Sequence, residues 1–493
     1  MSRNRRFSAI LQRGLRQWTY NQGENNMETT FDLIVIGAGP GGYTAAIKAA
    51  QSGLQTAVIE ERECGGTCLN RGCIPAKAMI HASSLYREIQ EAEQFGIFAS
   101  DVKYDYGKIL AYKEETTASL SQGVERLLKA NKVELIRGKG VLQKDGTVVV
   151  KSGSEESVLQ TRQVLLAAGS KPLIVPIPGL DLPGVLTSDE LFRLTEVPDS
   201  LLIIGGGVIS VEFASIFQAL GTKVTIIEAM PRLIPNMDKE ISQNLRMILK
   251  KRGIDIHVGA AVQSVAQKET GLISTFFEKE KEIQIDSQYV LCAVGRCPNT
   301  DGLFAKGAQP DMERGRIVVD DTFRTSMENV YAIGDLIQGA QLAHTASAQG
   351  VYAAERLAGK TPEVDLTIIP GCVYTDPEIA SVGMTEDMAK EQERAVTVGK
   401  FIMSANGKSL ISKEERGFIK IVADAESGVI LGGQMMCARA TDMIGEVGTA
   451  IANRLTAHQM LKAMRAHPTY NEAVGEALED IFGSAVHVMP KKR

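Results

Sequence analysis

Short apolar runs alternate with amphipathic stretches along this chain, and their order predicts its elements. Phe31-Asp32-Leu33-Ile34-Val35-Ile36 reads as a buried strand. A helical stretch follows from Tyr43 to Ser52, then the strand Thr56 to Ile59, closed by Glu60. The same order recurs with the strand Leu201 to Ile204, a helix running on to Leu220, and the strand Lys223 to Ile227, closed by Glu228. Between the two units, Ile109, Tyr112, Leu120, Val124 and Leu127 give Tyr106 to Ala130 a helical period. Asp145-Gly146, set between β-rich runs, marks a hairpin, and Pro172, Pro176, Pro178 and Pro183 punctuate the crossing into the second unit. From Asp365 onward, alternation in Gly417 to Val422 and Ile430 to Met436 accompanies helices near Ala440 to Arg454 and Asn471 to Phe482. That pattern predicts a mixed α+β region. The whole reads as α/β, with two Rossmann-like units followed by an α+β domain.

Glycines make the two units chemical. Gly37, Gly39 and Gly42 fit G-x-G-x-x-G directly after a strand and before a helix. Gly37 makes the tight turn, Gly39 admits a pyrophosphate to the backbone, and Gly42 packs helix on strand. Glu60 stands where a carboxylate accepts from ribose hydroxyls. In the second unit, Gly205 and Gly207 hold the first two glycine positions and Ser210 takes the third. Glu228 accepts from a free 2′-hydroxyl and repels a 2′-phosphate, which points to NAD rather than NADP, although Arg232 lies near. Two units separated by a domain imply two dinucleotides, one held and one exchanging.

Gly65-Gly66-Thr67-Cys68-Leu69-Asn70-Arg71-Gly72-Cys73-Ile74-Pro75-Ala76-Lys77 places two cysteines five positions apart. Pro75 before the amphipathic run Ala76 to Gln94 predicts a helix start here, and a helix N-terminus favours a thiolate over a thiol. A close dithiol of lowered pKa suits a two-electron relay. The alternatives are a structural disulfide or half of a zinc site. Zinc needs two further ligands, and the sequence offers no second Cys/His pair at comparable spacing. A dithiol just after the first unit makes bound FAD beside it, with a nicotinamide cofactor beyond, the economical arrangement. His467 precedes Pro468, which fixes an extended or turn backbone, and Glu472 follows where the next helix begins. A carboxylate on one ring nitrogen raises the basicity of the other.

Composition narrows the class. The 493 residues, 44% hydrophobic, give about three domains, and a net charge of −5 with scattered signs argues against a nucleic-acid surface. The sequence shows no apolar run long enough to span a bilayer, so no membrane partner is expected. Seven mostly isolated cysteines suit a reducing compartment, and a cytoplasmic location is expected. Residues 1–26 carry Arg3, Arg5, Arg6, Arg13 and Arg16. They read as a transit peptide, which would place the protein in the mitochondrial matrix, or as a disordered leader or extension upstream of a start at Met27.

Several of these motifs together carry a resemblance. Gly65 to Lys77 is similar to the active-site motif of the class I flavoprotein disulfide reductases (pyridine nucleotide-disulfide oxidoreductases), and Ile74-Pro75-Ala76-Lys77 most resembles their dihydrolipoamide dehydrogenase branch. Tyr331-Ala332-Ile333-Gly334-Asp335 resembles the second flavin motif, which gives Asp335 the ribityl hydroxyls of FAD. Leu342-Ala343-His344 resembles the helix start under the flavin pyrimidine. Gly169 and Gly295 fall in cofactor-binding turns by the same resemblance, and His467-Pro468-Thr469 with Glu472 resembles the C-terminal His/Glu dyad.

The resemblance implies a homodimer in which His467 and Glu472 serve the partner subunit's Cys68–Cys73 pair. It implies that Lys77, paired with Glu212, holds the flavin N5 region. The implied activity is oxidation of dihydrolipoyl groups, borne on a lipoylated protein of a 2-oxo acid dehydrogenase or glycine cleavage complex, with NAD⁺ as acceptor. The implied domains are 27–174 and 300–365 for FAD, 175–299 for NAD, and 366–493 for the dimer interface. Ala76, Arg71, Ala168 and Arg465 depart from the family pattern beside functional residues, and Cys64 is an added cysteine. A glutathione reductase-like enzyme and a non-catalytic flavoprotein scaffold are the competing readings; Glu228 speaks against the first, and the intact Cys68, Cys73, His467 and Glu472 against the second.

Overall fold

In a computed structural model of the chain, which describes residues 30–489, the first glycine unit opens a parallel sheet. The leader 1–26 lies outside the described residues. Strand β1 (Thr30–Ile36) leads through helix α1 (Pro40–Gln51) to β2 (Thr56–Glu60). Helices α2 (Gly66–Arg71), α3 (Cys73–Gln90) and α4 (Tyr106–Ala130) follow, then β3 (Glu134–Arg137) and the strands β4 (Lys139–Leu142), β5 (Val148–Ser152) and β6 (Glu155–Leu166). The sheet order is β3-β2-β1-β6-β5-β4, parallel as far as β6, whose N-terminal half turns antiparallel to β5. Asp145-Gly146 closes the β4–β5 hairpin as the sequence indicates. Leu33, Ile34 and Val35 are completely buried, each contributing about 1.5–3 kcal/mol relative to exposure. The chain later returns to this sheet, where Val330–Ala332 pairs parallel with β6.

Gly42 sets the distance between α1 and β1. A Cβ there would stand 1.8 Å from Gly37 O. Gly42→Ala is therefore expected to destabilise the protein by about 3 kcal/mol, despite alanine's better helix propensity. A fall in the urea midpoint checks this; an unchanged midpoint would mean that α1 lifts off the sheet without cost.

The second unit repeats the plan. After β7 (Ser170–Pro172), β8 (Val185–Leu186) and the short α5 (Ser188–Leu191) come β9 (Ser200–Ile204), α6 (Val208–Ala219), β10 (Lys223–Glu228), α7 (Lys239–Lys251) and β11 (Asp255–Val258). Its parallel sheet runs β11-β10-β9, then the strand Tyr289–Cys292, then β8. Leu201, Ile203 and Ile226 face the helices, while Leu202, Ile204 and Ile227 face a three-stranded antiparallel layer carrying Val262 and Phe276. Arg296–Pro298 pairs with β7, tying the link between the units. Helix α8 (Ala343–Leu357) then packs on α1 so closely that a Cβ at Gly350 would stand 2.3 Å from Gly41 O.

The C-terminal region is a five-stranded antiparallel sheet flanked by the helices Ala440–Ala452 and Glu472–Asp480. Here the expected alternation fails. Phe418–Asp424 is buried at six consecutive positions and Ile430–Met436 at nearly all. The cause is cover on both faces: Ile419, Ile421 and Met435 pack with the local helices, while Phe418 and Met436 join the core of the second unit. A strand covered on both faces has no polar face to display.

Candidate active site

The cysteine stretch folds as two helices broken at Gly72, not one helix starting at Pro75. Cys68 is the third residue of α2 and Cys73 the first of α3, while Pro75 sits third in α3, where its missing N–H costs nothing. The helix ends at Gln90, and Ala92–Phe95 forms a separate 3₁₀ turn. Gly65 takes the left-handed backbone at φ +91° that starts α2. Asn70 Nδ2 donates to Cys64 O (3.0 Å) and Gly66 O (2.9 Å), and Ser121 Oγ donates to Cys64 O at 2.8 Å. Cys64 is thus a buried anchor whose carbonyl fixes the turn; burial pushes its thiol up to about 11.

Cys68 and Cys73 carry free thiols that hydrogen-bond to each other. The bond from Cys68 lowers the Cys73 thiol to about 7, against burial and with help from Lys77. Donating that bond, together with burial, raises the Cys68 thiol far above its ordinary range. The pair therefore shares one proton, and Cys73 holds the charge at the positive start of α3. Below about pH 7 both sulfurs are protonated, and above it Cys73 is a thiolate while Cys68 stays a thiol. In the dithiol-reduced protein, thiolate absorbance at 240 nm should rise with a midpoint near pH 7 and be lost in Cys73→Ser. A midpoint in Cys73 at its ordinary value near 8.5 would contradict this.

Lys77 lies one turn after Cys73, and its Nζ donates to Glu212 Oε1 and Oε2 at 3.0 and 2.9 Å. Glu212 belongs to α6 and is buried; its Oε1 also accepts the Tyr374 N–H at 3.0 Å. Lys77 Nζ stands 4.4 Å from the centroid of the Tyr374 ring. Tyr374 escaped the sequence reading because nothing local in Val373-Tyr374-Thr375 signals contact with α3 and α6.

The glycine turns form two cradles. Gly37 (φ +104°) makes the first turn, and Glu60 Oε2 accepts the Ala38 N–H at 2.7 Å. The starts of α1 and α2 converge at Gly39 and Gly66: a Cβ on Gly66 would stand 2.7 Å from Gly39 Cα, whereas one on Gly39 meets only Gly66 Cα at 3.9 Å. The floor is bare backbone between two helix N-termini, as a pyrophosphate requires. Ser170 Oγ donates to Asp335 Oδ2, and Arg296 Nε donates to Ser170 Oγ at 2.7 Å, which fixes the Asp335 carboxylate. Gly169 (φ +69°) accepts the Asn299 N–H at 2.9 Å, and Gly295 (φ +133°) accepts the Leu173 N–H at 3.0 Å. Ala343 and His344 open α8, with His344 Nε2 donating to Pro370 O at 2.8 Å. Buried Thr345 Oγ1, one residue on, lacks a hydrogen-bond partner among the described residues. These residues fit the pyrophosphate, ribityl chain and ring of FAD.

The second cradle fits NAD. Gly205 turns at φ +109°, and a Cβ on Gly207 would meet nothing within 4 Å. Glu228 accepts from the Gly206 and Met230 N–H groups, so its carboxylate is fixed beside the turn. Arg232 is turned away from this role, donating to Pro235 O at 2.7 Å. Ser210 is fully buried where the first unit has Gly42, so this turn accommodates a side chain at a position where α1 has no room for a Cβ.

The dyad has the geometry its spacing implied. Glu472 opens its helix; Oε1 takes His467 Nδ1 at 2.8 Å and Oε2 takes the Thr469 N–H at 2.9 Å. Burial would raise the Glu472 carboxyl, but those two bonds hold it below the usual range. With Nδ1 occupied, Nε2 is the basic nitrogen of His467. Arg465 is largely buried on Glu446, securing the loop before His467. The His467 side chain is 77% exposed, and among the described residues no hydrogen bond or ion pair joins the dyad to Cys68 or Cys73 of the same chain.

Residues 31–350 match the family of pyridine nucleotide-disulphide oxidoreductases, and residues 369–478 match that family's dimerisation domain. The chain is 41% identical over 475 residues to a dihydrolipoyl dehydrogenase of Bacillus subtilis, covering 94% of this chain and all of the relative. It is 38% identical over 472 residues to one from Halobacterium salinarum, covering 94% and 99%. Among solved structures it is similar to LpdA from Mycobacterium tuberculosis, with a TM-score of 0.85 and 27% identity over 91% of this chain and 99% of that one. The HOCl-induced flavoprotein disulfide reductase RclA from Escherichia coli gives a TM-score of 0.80 at 27% identity, covering 92% and 99%.

Proposed function

The chain belongs to the pyridine nucleotide-disulphide oxidoreductase family, and from that premise we propose that it oxidises dihydrolipoyl groups to lipoyl disulfides with NAD⁺ as acceptor. The observation that carries the proposal is the asymmetric sulfur pair, with Cys73 lowered to about 7 beside Lys77 and Cys68 held protonated.

In the resting oxidised form the two sulfurs are joined. His467 Nε2 removes a proton from one thiol of the dihydrolipoyl arm, and that thiolate attacks Cys68, breaking the Cys68–Cys73 bond. Cys73 leaves as a thiolate, which its position at the start of α3 and Lys77 stabilise. The second thiol of the arm then displaces Cys68 and gives its proton to that departing sulfur, closing the lipoyl disulfide; the arm loses two electrons and two protons, the protein pair gains the electrons, and the protons rest on His467 and Cys68. Bound FAD supplies the passage of those two electrons from the sulfur pair to NAD⁺. Lys77 keeps its position through Glu212 and Tyr374.

The chain works as a homodimer. The outward-facing dyad lies within the dimerisation match, which supports His467 and Glu472 acting on the partner subunit's sulfur pair. The arm reaches the site on a lipoylated protein of a 2-oxo acid dehydrogenase or glycine cleavage complex. The test compares two rates on the flavin-loaded dimer: NADH formation from dihydrolipoamide, and NADPH oxidation by glutathione disulfide. The first should dominate; the reverse order would overturn the assignment.

A further inference from the structure

A cavity of about 800 Å³ opens at the far ends of the helices that build the active site. Its walls include Tyr86, Arg87 and Glu91 around the end of α3, Gln218 and Leu220 at the end of α6, Lys251 and Arg252 at the end of α7, and Arg416 from the C-terminal domain. Glu91 is the one acidic side chain among these lining residues. Outside the lining, Asp376 Oδ2 accepts from both Arg87 Nη2 (2.6 Å) and Arg252 Nη2 (2.5 Å). One carboxylate thus serves two guanidinium groups. Arg252 Nη1 is buried and has no hydrogen-bond partner among the described residues. Burial and the neighbouring Arg87 charge both work against the Arg252 cation, and Asp376, with a smaller contribution from Glu91, only partly offsets them.

A guanidinium with an unused buried donor, sharing one cavity lining with three further cations, is an incomplete ion cluster. The C-terminal carbonyls of α3, α6 and α7 oppose an anion here, by about half a charge each, as do the carboxylates of Glu91 and Asp376, and the four cations exceed their sum only slightly. We propose that this cavity binds a di- or triphosphate group, with Arg252 and Arg87 as its forked donors and Lys251 and Arg416 closing over it. Guanidinium forks match phosphate oxygens in pairs, and the cavity is larger than a bare phosphate needs, leaving room for an organic moiety. Because α3 carries Cys73 and Lys77 and α6 carries Glu212, such a ligand would pin together the other ends of the two helices that hold the Lys77–Glu212 pair. Lys77 and Arg87 are ten residues apart in α3, about 15 Å along its axis.

The test is calorimetric titration of the flavin-loaded homodimer with inorganic pyrophosphate and, separately, with ADP. Both are run at low ionic strength and with saturating NAD⁺, so that the nucleotide cradle is filled. Saturable binding is expected for at least one probe; tighter binding of ADP would identify a nucleotide as the source, and equal binding a free polyphosphate. R252Q should weaken that binding by at least about tenfold, the weight of one charge-assisted pair of bonds. Arg252 is partly buried, so K251Q and R416Q, both at exposed positions, provide a variant that keeps the fold; together they should cost about tenfold, near threefold each. K390Q, on a remote exposed helix, should change nothing. Absence of saturable binding by both probes, or wild-type affinity in R252Q and in the K251Q/R416Q double variant, would overturn the proposal.

Discussion

Changing Cys73 to serine should lower dihydrolipoamide-dependent NADH formation by at least about 10³-fold, the scale of losing a covalent relay atom. The reason lies in the asymmetry of the pair. Serine restores the hydrogen bond to Cys68 but can neither close a disulfide nor carry charge near pH 7, so the arm's thiolate meets no sulfur–sulfur bond to break. Because Cys73 is at the first position of α3 and, although crowded by neighbouring groups, keeps its side chain open to solvent in the isolated chain, the substitution should leave the urea midpoint almost unchanged. Cys64→Ser is the contrasting change. That thiol is buried and pushed up to about 11, so it takes no part in exchange, and its replacement should cost stability rather than turnover. Full turnover by the Cys73→Ser protein would end the proposed mechanism.

His467→Gln should reduce turnover by about 10²- to 10⁴-fold, the range for a general base. Glu472→Gln should give a smaller loss, and the double variant should be little worse than His467→Gln alone, because the two act as one unit. The decisive experiment mixes subunits. A hybrid of one Cys73→Ser subunit and one His467→Gln subunit contains one site with both lesions and one with neither, provided the dyad works across the dimer. Such hybrids should recover about half of the wild-type rate, although each parent homodimer is nearly inactive. If the dyad served its own chain, each site of the hybrid would carry one lesion and no activity would return. The 77% exposure of His467 is the structural reason to expect recovery.

The local chemistry of this protein was legible in its residues. Glycine at positions 37, 39 and 42, a carboxylate closing each second strand and two cysteines five apart are requirements of backbone geometry and of sulfur chemistry, which act over a few residues and leave fixed spacings. The dyad followed the same logic, since Glu472 reaches the His467 ring across a short turn. Even nearby, one boundary was misplaced: Pro75 marked a helix start that Gly72 sets two residues earlier, because proline is tolerated throughout a first turn.

Packing decided the rest. Tyr374 meets Lys77 and Glu212 only because the C-terminal sheet lies against α3 and α6, and no periodicity in any of the three segments encodes that contact. Phe418–Asp424 lost its expected polar face for the same reason, with a second domain covering it. The shared proton of Cys68 and Cys73 depends on a bend between two helices and on a lysine held by a distant glutamate. Sequence by itself determined which atoms could do the chemistry, since that is a matter of residue type and short spacing. Only the tertiary structure decided their charges and partners, because those depend on burial and on neighbours far away in the chain.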